Sequence, residues 1–450
     1  MNAFSTIILL AAAALAGPDT AALLEEGKAQ LIARDGPAAE RVFQQCVQAD
    51  PAAADCWWEK GWAHWIQREW GDAIVAWEKV RTLNPGHPDV RDALSKAKDN
   101  QAMAELAAQG AAAAPASFAS SAPAGATLRL RAVGDIMLGT DFPAGNLPPD
   151  DGATSLAAVT GLLRDADLTF ANLEGPVCDG GTTNKCDPSK PEGSCYAFRC
   201  PARYGRYLKE AGIDVVSTAN NHSGDFGDFC RQQTEQNLDA LGIAHSGRPG
   251  DVAELQVNGL KIALIGFHAS AATHDVRDIP TARALVRGLA ASHDLVIVSF
   301  HGGAEGAKAL HVPHGSETYF GEDRGDLRAF THAVVDEGAD LVIGHGPHLL
   351  RGMEVYRGHL IAYSLGNFAT YGRFNVSGNM GIGAVLEVQL DREGRFLGGR
   401  ILATRQEGEG IAVPDESGRA LDLVRQLSSE DFPASAVQVA RDGTLAAPSR

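Results

Sequence analysis

Two histidines close the run Asp340-Leu-Val-Ile-Gly-His345-Gly-Pro-His348. An apolar strand, a glycine turn and two imidazoles at the strand's end make a place for a transition metal, since imidazole suits zinc, iron and similar ions. Four other β-rich runs end in groups of the same kind. Residues 128–134 lead into Asp135, 168–171 into Asn172-Leu-Glu174, 213–219 into Asn220-Asn221-His222, and 295–300 into His301. Two carboxylates, carboxamides and several imidazoles on one sheet edge form a mixed nitrogen and oxygen set. That set suits a borderline or hard divalent ion better than a structural zinc, which prefers thiolates. Taken singly, Asp135 reads as a turn residue, Glu174 as a loop cap and Asn221 as an Asx turn. Five such coincidences at strand ends favour a site. His268, His311 and His314 read as ordinary structural histidines.

The elements that must carry these groups alternate along residues 127–410. Strands are expected over 127–133, 168–171, 213–217, 261–266, 294–300, 340–344, 360–364, 381–390 and 396–403. Helices are expected over 154–166, 201–211, 228–241, 281–291 and 325–338. This alternation predicts an α/β sandwich, with the chemistry at the carboxyl ends of its strands. Residues 411–450 are polar, with a helix expected over 419–427 and a weak strand near Val437, and receive no function.

In these stretches the chain resembles the capsule-synthesis CapA (poly-γ-glutamate biosynthesis) family, a branch of the calcineurin-like metallophosphatases. The matching pieces are Val133-Gly-Asp-Ile-Met-Leu-Gly139, Ala171-Asn-Leu-Glu-Gly-Pro-Val177, Ser217-Thr-Ala-Asn-Asn-His-Ser223, Val298-Ser-Phe-His-Gly-Gly303, Gly344-His-Gly-Pro-His348 and Ala362-Tyr-Ser-Leu-Gly-Asn-Phe368. The resemblance implies a metallophosphatase-like sandwich of two sheets flanked by helices, with one or two divalent ions (manganese, zinc or iron) at its top. Carried over residue by residue, it makes Glu174 the bridging ligand. Asn221, His301 and His345 would complete one metal position, while Asp135 and His348 would serve the other. His222 would be the general acid, and Arg351 and Asn367 would bind substrate. Met137 stands where such enzymes have a histidine, and a thioether is a poor ligand for a hard ion. The Asp135–His348 position is therefore expected to be the weaker. Arg351 and Arg373 would compensate the charge of an anionic substrate. The loop 302–320 and the cysteine-rich loop 178–200 look like elaborations that rim the site. The implied function is metal-dependent hydrolysis or processing of a secreted polymer such as poly-γ-glutamate. A periplasmic phosphoesterase and a non-enzymatic assembly scaffold are the alternatives.

The amino-terminal third is of another kind. Gly27, Ala39, Phe43 and Pro51 recur 34 residues on as Gly61, Ala73, Trp77 and Pro85. Residues 20–107 thus resemble tetratricopeptide repeats, a small all-α module that would bind a protein partner. Trp62, Trp65 and Trp77 are expected in its core. The Ala-, Pro- and Ser-rich segment 108–126 reads as a linker.

Ahead of the repeat, the apolar run 3–16 ends in Ala-Leu-Ala, as an export signal does. It is shorter than a bilayer-spanning helix needs, so no membrane span is expected once it is cleaved. Seven cysteines fit an oxidising, periplasmic or extracellular compartment. Cys46 and Cys56 are one candidate pair. Cys178, Cys186, Cys195, Cys200 and Cys230 offer two more disulfides whose connectivity stays open. A net charge of -17 argues against nucleic acid as a partner.

Overall fold

The computed structural model describes residues 19–113, 118, 120–186 and 195–448. The expected signal and the centre of the cysteine-rich loop lie outside them. The chain divides into two compact units, residues 1–101 and 102–450.

In the first unit the helices Thr20–Ile32 and Gly36–Ala49 pack together, as do Ala54–Ile66 and Trp70–Leu83. Asp19 and Asp35 begin the first two by accepting the backbone N–H groups of Ala21 and Ala38. Glycine is needed at 27 and 61 because an aromatic ring lies against each. A Cβ would come 2.4 Å from Phe43 at Gly27 and 2.1 Å from Trp77 at Gly61. The small–bulky pairs thus meet at the 34-residue offset. Trp77 is fully buried, and Trp62 and Trp65 are half-buried around it. A disulfide joins Cys46 to Cys56.

The helix Val90–Ala112 continues five residues into the segment expected as linker. Its alanine-rich sequence favours helix, and within the second unit Met103, Leu106 and Ala107 pack on an apolar cluster. No helix of the described residues is long and apolar enough to cross a membrane.

The second unit is an α/β fold with two large sheets. One runs Gln438–Val439, Thr444–Ala446, Phe396–Glu407, Ile382–Asp391, Thr127–Met137, Leu168–Leu173, Val215–Ser217 and Ala244–Ser246. Asn367–Thr370 also pairs with Thr127–Met137, and Ile411–Pro414 with Phe396–Glu407. The other sheet runs Met353–Tyr356, His359–Ala362, Leu341–His345, Leu295–His301, Leu260–His268 and Ala253–Val257, with His274–Asp275 beside Leu260–His268. Leu130, Phe170 and Val215 of the first share one core with Ile262, Ile297 and Ile343 of the second. Gly205–Ala211 and Gly227–Leu241 cover the outer face of the first sheet, and Ile279–Ala290 and Leu327–Asp336 that of the second. Strands buried on both faces account for the unbroken apolar runs read in the sequence.

Three expectations change. Residues 411–450 are no appendage: they add strands to the first sheet, and the helix Arg419–Asp431 places Ala420 and Val424 in the inter-sheet core. The helix expected over 154–166 is a 3₁₀ turn, Ala157–Val159, and a short helix, Thr160–Arg164. Asp135 lies inside a strand, because Asn367 pairs with it from a distant part of the chain.

Asp340 sets the register that matters most. Its carboxylate accepts the Val296 N–H at 2.7 Å, while its own N–H donates to the Val296 carbonyl at 2.8 Å. The parallel pair that follows places His345 opposite His301. Burial pushes the Asp340 carboxyl up to about 8, against the pull of the Val296 N–H. A raised folded-state pKa favours the fold below the ordinary carboxylate value, and that contribution is lost as pH rises toward 8. The limit is about 1.4 kcal/mol per pH unit. Asp340→Asn keeps the acceptor without the charge. Its melting temperature is expected to gain on wild type steadily from pH 5 to pH 8; a difference independent of pH would refute this.

Candidate metal centre and cleft

The strand ends meet as their positions require. Asp135, His301 and His345 are the ends of, or lie near the ends of, neighbouring or facing strands, and Glu174 directly follows Leu168–Leu173. All four side chains are at most 1% exposed. Asp135 accepts from Asn172 Nδ2 at 2.8 Å and faces His348 Nδ1 at 3.0 Å and His345 Nδ1 at 3.3 Å. Glu174 Oε1 lies 3.7 Å from His301 Nε2 and 3.9 Å from His222 Nε2, and its Oε2 lies 3.7 Å from His348 Nδ1. Ligand atoms of Asp135, Glu174 and His348 all fall within 4.8 Å of one another. His348 reaches this place from a turn with φ +61°.

The unpartnered atoms test whether a cation fits. Both oxygens of Glu174, Nε2 of His301, Nε2 of His345 and Oδ1 of Asn221 are buried without a hydrogen-bond partner among the described residues. Each such group costs about 1–3 kcal/mol, and more when charged. These are also the donor atoms that a divalent ion takes, so the residues fit one. The electrostatics point the same way. Burial and then the neighbouring Asp135 push the Glu174 carboxyl well above its ordinary value. Burial also raises Asp135, but His345 and His348 more than offset it and hold it well down. Burial lowers His348, yet Glu174, Asp135 and Glu305 prevail and lift it to about 10. An imidazolium therefore supplies the positive charge that two buried carboxylates demand.

The compact triad contains Asp135 and His348, the position expected to be weaker because of Met137. Met137 is buried in the strand, in register with Thr370. The residues expected at the other position supply the unpartnered atoms.

His222 is held by a residue that the sequence reading missed. Asp225 Oδ2 lies 2.7 Å from His222 Nδ1 and also accepts the Phe198 N–H, while Asp225 Oδ1 accepts from Lys185 Nζ at 2.7 Å. With Nδ1 held by Asp225, Nε2 faces Glu174. Burial lowers His222 to about 4 despite Asp225, so at neutral pH it is a proton acceptor before it can be an acid. The spacing His222-x-x-Asp225 in a glycine-bearing turn was the available signal. Asn220 adds a second support, donating to Asn172 Oδ1 at 3.2 Å and accepting the His222 N–H.

Of the two residues expected to bind substrate, neither lines the cleft. Arg351 is fully buried and pairs with both oxygens of Glu317 at 2.7 and 2.8 Å, while its Nε donates to the Ala309 carbonyl. It holds the 302–320 loop from inside. Asn367 is buried beside Asp135 and donates to the Met380 carbonyl. Arg373 does line the cleft, a cavity of about 1100 Å³ that includes Asn221, His222, His348, Lys185 and Tyr196. Two disulfides shape one wall. Cys178–Cys230 ties the loop to the helix that follows Asp225, and Cys186–Cys195 closes the loop on itself; Cys200 stays unpaired and buried.

Because His348 holds a proton that a cation must displace, metal affinity is expected to rise with pH, by about tenfold per pH unit for that proton. Titration of the chelator-treated protein with manganese or zinc at pH 6, 7 and 8 reads this directly. Glu174→Ala should abolish both the binding and the accompanying rise in melting temperature. Equal binding by that variant would remove the centre from consideration.

Residues 129–371, more than half of the chain, match the family described as bacterial capsule synthesis protein PGA_cap. PGA biosynthesis protein CapA of Bacillus subtilis is 29% identical over 254 residues, 52% of this chain and 61% of that protein. Capsule biosynthesis protein CapA of Bacillus anthracis is 27% identical over 275 residues, 54% of this chain and 59% of that protein. A probable polyglutamine synthesis accessory protein of Mycobacterium tuberculosis is 30% identical over 181 residues, 34% of this chain and 44% of that protein. The match thus spans less than two thirds of each of these relatives. With its strand-end carboxylates and histidines inside the matched segment, the chain belongs to the bacterial capsule synthesis protein family.

Proposed function

We propose that the second unit is a metallophosphatase-like hydrolase, dependent on a divalent metal, that processes a capsular or secreted polymer such as poly-γ-glutamate. The observation that carries this is the buried pair Asp135 and Glu174, with unpartnered Glu174 oxygens beside His222 at an open cleft. A merely structural role would have satisfied or removed those oxygens. The names of the Bacillus relatives supply the polymer. The three disulfides suit an exported protein, and the helical repeats would recruit a protein partner.

Asp135, Glu174, Asn221, His301, His345 and His348 would hold the ion or ions, which when bound would lower the pKa of water and polarise the bond under attack. His222 Nε2, turned inward by Asp225, takes a proton at the reacting centre and returns it to the leaving atom. Phe198 packs against the His222 ring, with ring centres 4.1 Å apart. A scaffold that only binds polymer draws on Met137 and on the charge already supplied by His348. A phosphoesterase would use the same groups.

Incubation of the metal-loaded protein with poly-γ-glutamate, followed by gel filtration, separates these readings. Shortening of the polymer is expected, lost in Glu174→Ala and slowed about 10²–10⁴-fold in His222→Gln. Unchanged chain length with equal polymer binding by Glu174→Ala would establish the scaffold. Cleavage of a simple phosphodiester in place of the polymer would establish the phosphoesterase.

A further inference from the structure

Five lysines and arginines line the cleft. Four have a carboxylate partner: Lys185 pairs with Asp225, Arg231 with Glu235, Arg277 with Asp275 and Arg324 with Glu305. Arg373 has no carboxylate partner among the described residues. One of its nitrogens donates to the Cys195 carbonyl at 3.0 Å, and its guanidinium carbon lies 5.1 Å from the centre of the Tyr196 ring. This aims the group without neutralising it, because a carbonyl and an aromatic face leave the charge and most of its donors in place.

The position is built into the centre. The Tyr371 N–H donates to the Met137 carbonyl, two residues beyond Asp135, and the Gly372 N–H to the Glu409 carbonyl. The segment bearing Arg373 is therefore pinned to the strand bearing Asp135. The next residue, Phe374, packs 5.1 Å from His348 and 5.1 Å from Phe198, which packs against His222. An aromatic wall runs from the His222 and His348 rings to Tyr196, where the arginine sits. Glu305, Glu322 and Asp323 also line the cleft, so an anion entering it needs a cation held apart from them.

We infer that Arg373, laid on Tyr196, is the oxyanion-binding arm of the cleft and selects substrates that carry a carboxylate or phosphate beside the reacting bond. Arginine suits this task because its planar fork presents two parallel donors to an oxyanion. The inference deepens the proposed hydrolase reading by naming the group that it recognises. It stands or falls on binding, whereas that reading stands or falls on cleavage.

The test is calorimetric binding to the metal-loaded full chain. The probes are a γ-glutamyl hexamer, the same hexamer with its free α-carboxyls amidated, and a glycerol-phosphate oligomer. Wild type is expected to bind at least one anionic probe tenfold or more tighter than the amidated one, with a preference that weakens as salt rises. Arg373→Gln should erase that preference while leaving metal binding and the melting temperature intact. Arg373→Lys should restore part of it, since the charge returns without the fork. The tighter anionic probe then identifies carboxylate or phosphate as the source. A wild type that ignores the charge of the probes or binds none of them overturns the inference. So does Arg373→Gln with its preference unchanged. Binding that depends on Arg373 without cleavage would leave the arm in place and remove the hydrolase.

Discussion

Two carboxyl groups cannot share one buried place without a proton or a positive charge, and this constraint organises the second unit. Asp135 and Glu174 are both 0% exposed, where an isolated anion would cost several kcal/mol. The neighbours form a graded answer to that cost. Asn172 donates to Asp135, His348 brings an imidazolium between the two carboxylates, and His301 and His345 keep unpartnered nitrogens nearby. The same arrangement explains why His348 is raised and His222 lowered within one cleft. Burial lowers both rings; at His348 it is outweighed by Glu174, Asp135 and Glu305, whereas at His222 it prevails over Asp225 and Lys185 adds to it.

The backbone has to bring these groups into reach, and parallel registration does so. The pairing of Leu341–His345 with Leu295–His301 sets two imidazoles side by side, and that of Thr127–Met137 with Leu168–Leu173 sets Asp135 against Asn172. Close backbone approach is needed where strands converge. A Cβ on Gly134 would lie 1.9 Å from the Gly366 carbonyl, and one on Gly344 2.2 Å from the Tyr363 carbonyl. The Gly366 carbonyl is also the acceptor of the Asp135 N–H, so the glycine at 134 is part of how the carboxylate is placed.

The rim is made differently, by loops outside the two large sheets. Arg351 fixes the 302–320 loop through Glu317, and two disulfides fix the 178–200 loop. Lys185 and the Cys195 carbonyl, from the second loop, reach Asp225 and Arg373. Proton handling at His222 and the aim of Arg373 therefore both depend on a segment outside the sheets. A centre built on strand ends with separately stapled walls would let the cleft vary while the candidate ligands stay put.

Much of this was legible along the chain. Strands buried on both faces leave continuous apolar runs, and the groups that end them are local, so Asp135, Glu174, Asn221, His222, His301, His345 and His348 could be found by reading where each run stops. The 34-residue spacing of Gly27 and Phe43 against Gly61 and Trp77 was equally local. What tertiary structure alone decided are pairings between distant segments. Arg351 and Arg373 read alike in sequence, yet one is consumed by Glu317 inside a loop and the other is left charged on Tyr196. Asp225 and Lys185 acquire a role only when a disulfide loop folds back on the turn after Val215–Ser217. Beyond residue 410 the sequence signals a weak strand near Val437, whereas Ile411–Pro414 and Thr444–Ala446 are too short to announce themselves without the sheet edge that receives them. Residue types and periods specify which groups a segment offers; which of them stay charged, buried or free depends on partners that only the folded chain brings within hydrogen-bonding distance.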